Sequence, residues 1–253
     1  MPTIDLNADL AEHDALTDED VALLDHVTSA SLACGFHAGG RSVMRAAAEA
    51  CVTRGVVLGA HVAYRDREGF GRRALDVAPD RLAADVVEQL EVLEGEAAAV
   101  GGSVAYAKPH GALYHRMAAD VDVARAVVGA LEGRCRVLVA PPSSAVAGPA
   151  SVAGIRVVPE GFCDRGYDAD GLLVPRGRVG DLVDDHGTAA ARARSLAVER
   201  GVDSVGGAWV PLEVETICIH GDRHGAADRA RAVRAALVGA GVSVRSFVDI
   251  GRR

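Results

Sequence analysis

The chain has 253 residues, and its 27 basic against 35 acidic side chains leave a formal charge of −8 at neutral pH. That balance argues against a groove that tracks nucleic-acid phosphates, which needs clustered cations, yet it leaves room for a small anionic substrate. Apolar residues at 49% and charged residues at 25% give enough material for a core, and aromatics at 4% make that core mostly Ala, Val and Leu.

The N-terminal Met1-Pro2-Thr3-Ile4-Asp5 lacks the basic stretch and apolar run of a secretory signal, so a cytoplasmic location is expected. Thr3 to Asn7 reads as a first strand, Asp18 to His26 as a helix, Ser29 to Cys34 as a second strand, Gly40 to Arg54 as a helix and Val56 to His61 as a third strand. Pro79 then opens a long helix with Leu82, Val86, Leu90, Leu93 and Ala97 on one face, ended by Gly101-Gly102. Val104 to Lys108 is a fourth strand, Asp120 to Leu131 a helix, Arg136 to Ala140 a fifth strand and Arg156 to Glu160 a sixth. The uncharged stretch Val137 to Ile155 approaches membrane-spanning length, but Pro141, Pro142 and Pro149 interrupt it, and strand plus loop is the better reading. Thr188 to Arg200 reads as a helix, Thr216 to His220 as a seventh strand, Asp228 to Val238 as a helix and Ser243 to Phe247 as an eighth run.

Strand-then-helix repetition without a composition break implies parallel strands in one domain over 1–253, and seven or eight units favour a closed β/α barrel over an open sheet. The five cysteines Cys34, Cys51, Cys135, Cys163 and Cys218 show no paired short spacing, which argues against a disulfide scaffold or zinc ribbon. No phosphate-loop or dinucleotide fingerprint occurs. Nearly every strand ends in polar chemistry: Asn7 and Asp9, His37, His61, Lys108 and His110, Glu160 and Asp164, then His220 and Asp222. In β/α barrels these ends converge on the face that carries active sites. One histidine at a strand end is commonly structural, whereas four at equivalent positions point to a site. Lys108 is the lone lysine among the basic residues. In an arginine-rich chain its survival suggests a need for a compact ammonium. Cys34 and Cys218 sit in apolar strand stretches and read as buried structural thiols.

The motifs Asp5-Leu6-Asn7-Ala8-Asp9-Leu10, Ala33-Cys34-Gly35-Phe36-His37-Ala38-Gly39, Gly59-Ala60-His61, Gly69-Phe70-Gly71-Arg72-Arg73, Lys108-Pro109-His110-Gly111-Ala112-Leu113-Tyr114, Asp164-Arg165-Gly166-Tyr167-Asp168-Ala169-Asp170-Gly171, Val174-Pro175-Arg176 and Cys218-Ile219-His220-Gly221-Asp222 together resemble the LamB/YcsF family over almost the whole chain. Departures from the family pattern are Ala11 where glycine usually precedes Glu12, Ser31 for asparagine, Gly40 for an acid, Val62 for proline and His115 for asparagine. The resemblance implies a seven-stranded β/α barrel related to the glycoside hydrolase and deacetylase barrels. It also implies a component of an ATP-dependent 5-oxoprolinase, hydrolysing 5-oxo-L-proline to L-glutamate with ATP cleavage together with companion subunits. A homo-oligomer is also open.

On that reading Lys108 stabilises a phosphoryl or carbonyl oxygen, and His110 or one of Glu160, Asp164 and Asp9 activates water. Arg72 or Arg73 holds the substrate carboxylate, Asn7 and Asp222 orient, and Tyr114 and His220 complete the substrate contacts. Two other readings stay open. One is a divalent-metal amidohydrolase or deacetylase with Asp9, His37 and His61 as ligands, since two imidazoles and one carboxylate leave positions for water. The other is a non-catalytic substrate-binding subunit.

Overall fold

In a computed structural model that describes residues 1–222 and 224–248, the elements run β1 (Thr3–Leu10), α1 (Asp18–Leu24), β2 (Ser29–Ala33), α2 (Arg41–Arg54), β3 (Val57–Val62), α3 (Pro79–Ala98), β4 (Val104–Pro109), α4 (Gly111–Ala119) and α5 (Val121–Leu131). They continue with β5 (Val137–Ala140), α6 (Ala147–Val152), β6 (Arg156–Phe162), α7 (His186–Arg194), β7 (Gly201–Asp203), β8 (Trp209–Pro211), β9 (Thr216–His220), α8 (Ala226–Gly239) and β10 (Ser243–Val244). Strands β1 to β6 pair in parallel in chain order, β9 joins β6, and β9 also pairs with β1. Among the described residues this closes a seven-stranded parallel barrel with helices outside it.

The expected eighth run from Ser243 shortens to β10, which extends the ladder only at the start of β1, with Thr3 opposite Ser243 and Ile4 opposite Val244. β7 and β8 form an antiparallel hairpin of their own. Val137 to Ile155 resolves into β5, a turn and α6, and no described helix is long and apolar enough to cross a membrane.

Strand alternation decides what each barrel face contains. In β1, Ile4, Leu6, Ala8 and Leu10 belong to the main apolar core against the helices, so the intervening Asp5, Asn7 and Asp9 point the other way, into the barrel. Val57, Tyr106, Val139 and Val158 make a separate apolar cluster, with Phe247 packed against it. Tyr106 needs Gly59 opposite it, because a Cβ there would run into its ring. Beyond that cluster, and apart from Phe162 beside Lys108 and His220, the interior carries polar side chains. Thr216 Oγ1 donates to Asp5 Oδ2 at 2.5 Å, Ser29 Oγ donates to the same carboxylate, and Asn7 Nδ2 donates to Thr216 Oγ1 at 2.7 Å.

Helix ends follow ordinary capping chemistry. Thr17 and Asp20 form a reciprocal capping box on α1, Asp120 caps α5, and Gly55 ends α2 in the left-handed region at φ 67. Within α3, buried Gln89 donates to Ala63 O at 3.0 Å and accepts from Ala63 N at 2.9 Å. That pair of bonds fixes the chain where it leaves β3 for the mouth of the barrel.

Candidate active site

At the carboxyl ends of the strands a cavity of about 400 Å³ opens, lined among others by Asp9, Glu12, His61, Arg72, Lys108, His110 and His220. That size lies within the range of small-molecule sites. Asn7 and Asp9 come from β1, His61 from β3, Lys108 from β4, Glu160 from β6 and His220 from β9. His110 stands between β4 and α4.

Lys108 is the charged centre, and it is 2% exposed. Its Nζ reaches Asp9 Oδ1 at 2.8 Å, Glu160 Oε1 at 2.8 Å, Asn7 Oδ1 at 3.1 Å and Cys218 Sγ at 3.1 Å. Burial works against the ammonium, but Asp9, Cys218 and Glu160 prevail and hold its pKa well above the usual value. Burial likewise works against the Asp9 carboxylate, yet His61 and Lys108 beside it hold it well below the usual range. Lys108 is therefore a cation rather than a base, and its acceptors outnumber its three N–H bonds.

Three histidines form one wall. His37 and His110 stack with ring centroids 4.0 Å apart, and His61 meets both rings edge-on. Burial, with the other imidazoles adding to it, holds His37 and His110 well below the usual histidine range, so both are neutral. Gly71 lets them pack, since a Cβ there would stand 2.9 Å from both His110 Cδ2 and His37 Cβ. Glu12 joins this wall, its Oε1 3.2 Å from His37 Nε2 and 3.4 Å from His110 Nδ1. Burial raises the Glu12 pKa although His110 and His61 pull against it.

The opposite wall carries His220, whose Nδ1 is 2.9 Å from Asp164 Oδ1 while its backbone N–H donates to Asp164 Oδ2 at 3.0 Å. Burial lowers the imidazole pKa, but Asp164 outweighs it and the net shift is upward. Asp164 is correspondingly held at about 2 despite its burial. Arg72, Arg165 and Arg176 line the remaining side with His115 and Tyr114. Arg72 pairs with Asp222 at 2.9 Å. Arg165 is pushed down to about 10 by burial and by Arg176, as expected of cations gathered around a place for an anion.

Of the residues singled out from sequence, Asp9, His61, Lys108, His110, Arg72, Tyr114, His220 and Asp222 have contact with the cavity or its rim. Asn7 and Glu160 lie beneath Lys108, where Asn7 Nδ2 donates to Glu160 Oε1 at 3.0 Å, and Asp164 lies behind His220. Arg73 is turned aside: it pairs with Asp66 and does not line the cavity. Of the Asp9, His37 and His61 set, Asp9 Oδ2 and His61 Nε2 meet at 3.3 Å, but the three do not gather as one group of their own. His37 and His61 gather with Glu12 and His110, and Asp9 gathers with Cys218 and His220, each group with potential ligand atoms within 4.8 Å.

Glu12, Arg165, Arg176 and His115 were not singled out as site residues from sequence. Glu12 follows Ala11, whose φ of 60 turns the chain back over the barrel mouth. Arg165 and Arg176 belong to a long segment after β6 that folds over the mouth through the bridges Arg165–Leu182 and Tyr167–Leu173. Arg165 is tied there by bonds from Nε to Asp181 O and from Nη2 to Val174 O. Both arginines lie in motifs that carry the family resemblance, Asp164 to Gly171 and Val174 to Arg176, but neither stands at a strand end, which was the signal used to pick site residues.

Known proteins match this arrangement along its whole length. A family model described as the LamB/YcsF family matches residues 4–252. The 5-oxoprolinase A-subunit of Streptomyces griseus is 48% identical over 96% of this chain and 99% of its own, and that of Streptomyces coelicolor is 49% identical over the same shares. The crystal structure of the lactam utilization protein from Thermus thermophilus superposes with a TM-score of 0.88 at 38% identity, covering 97% of this chain and 100% of that one. A putative cellobiose-phosphate cleavage protein from Enterococcus faecalis, with a TM-score of 0.55 at 10% identity over 97% of each chain, shares the fold. With its sequence matched from the first strand to the last, and its barrel superposed on that of a lactam utilization protein, this chain belongs to the LamB/YcsF family.

Proposed function

We infer that this chain is the A-subunit of a 5-oxoprolinase and opens the lactam ring of 5-oxo-L-proline to give L-glutamate, together with companion subunits and with cleavage of ATP. The observation that carries the reading is one cavity that holds a fixed ammonium, an acceptor-rich wall, an imidazole backed by a carboxylate and a rim of arginines. Relatives nearly half identical over almost their whole length bear the name of the 5-oxoprolinase A-subunit.

A lactam carbonyl is a poor electrophile, and its ring tends to close again. Transfer of the γ-phosphoryl group of ATP to the amide oxygen leaves ADP and makes the ring carbon electrophilic. Water adds to that carbon, its proton passing to the Glu12 carboxylate, whose pKa is raised by burial. The C–N bond then breaks as the nitrogen takes a proton from His220, and a second water releases phosphate and leaves the γ-carboxylate. Lys108, whose donors are already taken, offsets developing negative charge through its field. Arg72, Arg165 and Arg176 suit the substrate carboxylate and a phosphoryl group. Tyr114 lines the cavity beside Glu160; burial, with that carboxylate adding to it, raises the tyrosine pKa, and its side chain suits a contact with the ligand.

Glu160 and Asp164 take supporting parts here. The first is pinned by Lys108 and Asn7, the second is committed to His220, and neither lines the cavity. The test is glutamate release from 5-oxoproline with and without ATP and the companion subunits. The isolated chain should turn over very slowly or not at all, and the reconstituted complex should be active and ATP-dependent. Companions that hydrolyse 5-oxoproline at full rate without this chain would remove its catalytic role.

A further inference from the structure

The wall formed by Glu12, His61 and His110 contains a hydrogen-bonding contradiction. His61 Nδ1 lies 3.0 Å from Lys108 O, and His110 Nε2 lies 2.9 Å from Phe70 O. A carbonyl oxygen only accepts, so each of these nitrogens carries the proton and donates it. In neutral rings the opposite nitrogens, His61 Nε2 and His110 Nδ1, are then bare lone pairs, and they face each other at 2.9 Å. Around them stand more acceptors: Asp9 Oδ2 at 3.3 Å from His61 Nε2, and Glu12 Oε1 at 3.8 Å from His61 Nε2 and 3.4 Å from His110 Nδ1. The donor beside them, His37 Nε2, is given to Glu12 Oε1, so the two facing imidazole nitrogens repel each other unless a cation stands between them.

We propose that Glu12 Oε1, His61 Nε2 and His110 Nδ1 bind a divalent metal ion of the zinc class at the wall of the cavity. The outer bonds of both histidines run to backbone carbonyls, which is how metal-ligating imidazoles are held in one tautomer and one orientation. Bonds of about 2.0–2.1 Å to a tetrahedral ion place ligand atoms about 3.3–3.4 Å apart. The separations of 2.9, 3.4 and 3.8 Å straddle that value. His37 Nε2, 3.2 Å from Glu12 Oε1, donates to the carboxylate and aims it. Charge points the same way: the carboxylates of Asp9, Glu12 and Glu160 meet one ammonium, that of Lys108, and a divalent ion offsets the excess where a single proton does not. Three protein ligands leave a coordination position facing the cavity, open to water or a substrate oxygen.

This site deepens the reading of the cavity given above, but its test needs no turnover, so a failed activity reading and a failed metal site are told apart. Chain purified without an affinity tag and stripped by a chelator is titrated with zinc by calorimetry, and with cobalt(II) by visible absorption. The expected result is saturation at about one equivalent, the strong visible bands of four-coordinate cobalt, and a rise in melting temperature with zinc. Glu12→Gln, His61→Asn and His110→Asn should each weaken binding by about 100-fold or more, since even outer partners are worth about 10–100-fold. Cys218→Ser, which alters the other acceptor group, should leave binding intact. Unsaturable binding by the wild-type chain, or a melting temperature indifferent to zinc, overturns the site whatever the variants do. So does affinity that falls only in Cys218→Ser.

Discussion

Lys108 shows how far one side chain can be read before its surroundings are known. Its singularity among the basic residues was legible in the sequence, but the acceptors around it come from β1, β6 and β9, and no local pattern reports such neighbours. A guanidinium in its place would need room for a planar fork where a 2% exposed ammonium already meets Asp9, Glu160, Asn7 and Cys218. We expect Lys108→Arg to lower kcat of the reconstituted enzyme by about 10²–10³, the cost of losing one positioned electrostatic group, with kcat/KM falling by a similar factor. Retained kcat with raised KM would show that Lys108 only anchors substrate. His220 lends itself to a pH measurement. Asp164 raises the imidazole pKa, so the protonated form persists to higher pH, and activity that needs it declines as pH rises through that value. Asp164→Asn removes the supporting charge and should move the basic limb of the kcat profile down by about 1–3 pH units. An unmoved limb would take the proton-donor role away from His220.

At the level of elements, the alternation of strand and helix was readable because the outward strand residues are apolar and the helices carry their own period. β9 has the bounds expected from sequence, and α5 begins one residue later than expected because Asp120 is its cap. α4 escaped notice since it starts at Gly111, directly after the Lys108-Pro109-His110 cluster, leaving no loop to mark a boundary. β7 and β8 are three residues each and joined by a Gly206-Gly207 turn, too short to show alternation. The helix expected to Arg200 is α-helical only to Arg194 and widens into a π turn over Ser195–Glu199. The junction after β1 has its own arithmetic. Ala11 is left-handed at φ 60, a strain of about 1–2 kcal/mol. Ala11→Gly relieves it, but sacrifices a buried methyl worth about 0.8 kcal/mol and loosens the unfolded chain by about 0.4–1 kcal/mol. These effects oppose each other, so urea unfolding should place Ala11→Gly within about 1 kcal/mol of wild type. A larger gain would mean that the strain is greater than the angle implies.

Across the whole molecule, the polar barrel interior links stability to pH. Asp5, at the bottom of the Asn7–Thr216 chain, is raised by burial from 3.8 to about 6, against the pull of Thr216, Thr28 and Ser29. Between those values the folded state binds more protons than the unfolded one, so this group's contribution to stability falls as pH rises through the window. The change amounts to about 3 kcal/mol, taken as an order of magnitude. The free-energy gap between wild type and Asp5→Asn, measured by urea unfolding, should therefore be larger at pH 4 than at pH 7 by that amount. An equal gap at both values would mean that Asp5 is ionised throughout. None of this was legible beforehand, because interior carboxylates in β1 look the same in sequence whether they face water, a ligand or each other.

Closure by β9 bears on how the protein is made. The stave that joins β6 to β1 is the last of the barrel to leave the ribosome, 54 residues after the end of β6 by the difference between Phe162 and Thr216. Until it arrives, β1 and β6 are both open edges, and open edges recruit strands from other chains. Asp9 and Lys108 meanwhile lack Cys218 and His220 beside them. Nascent chains stalled or cleaved before Thr216 should accordingly be aggregation-prone and dependent on chaperones.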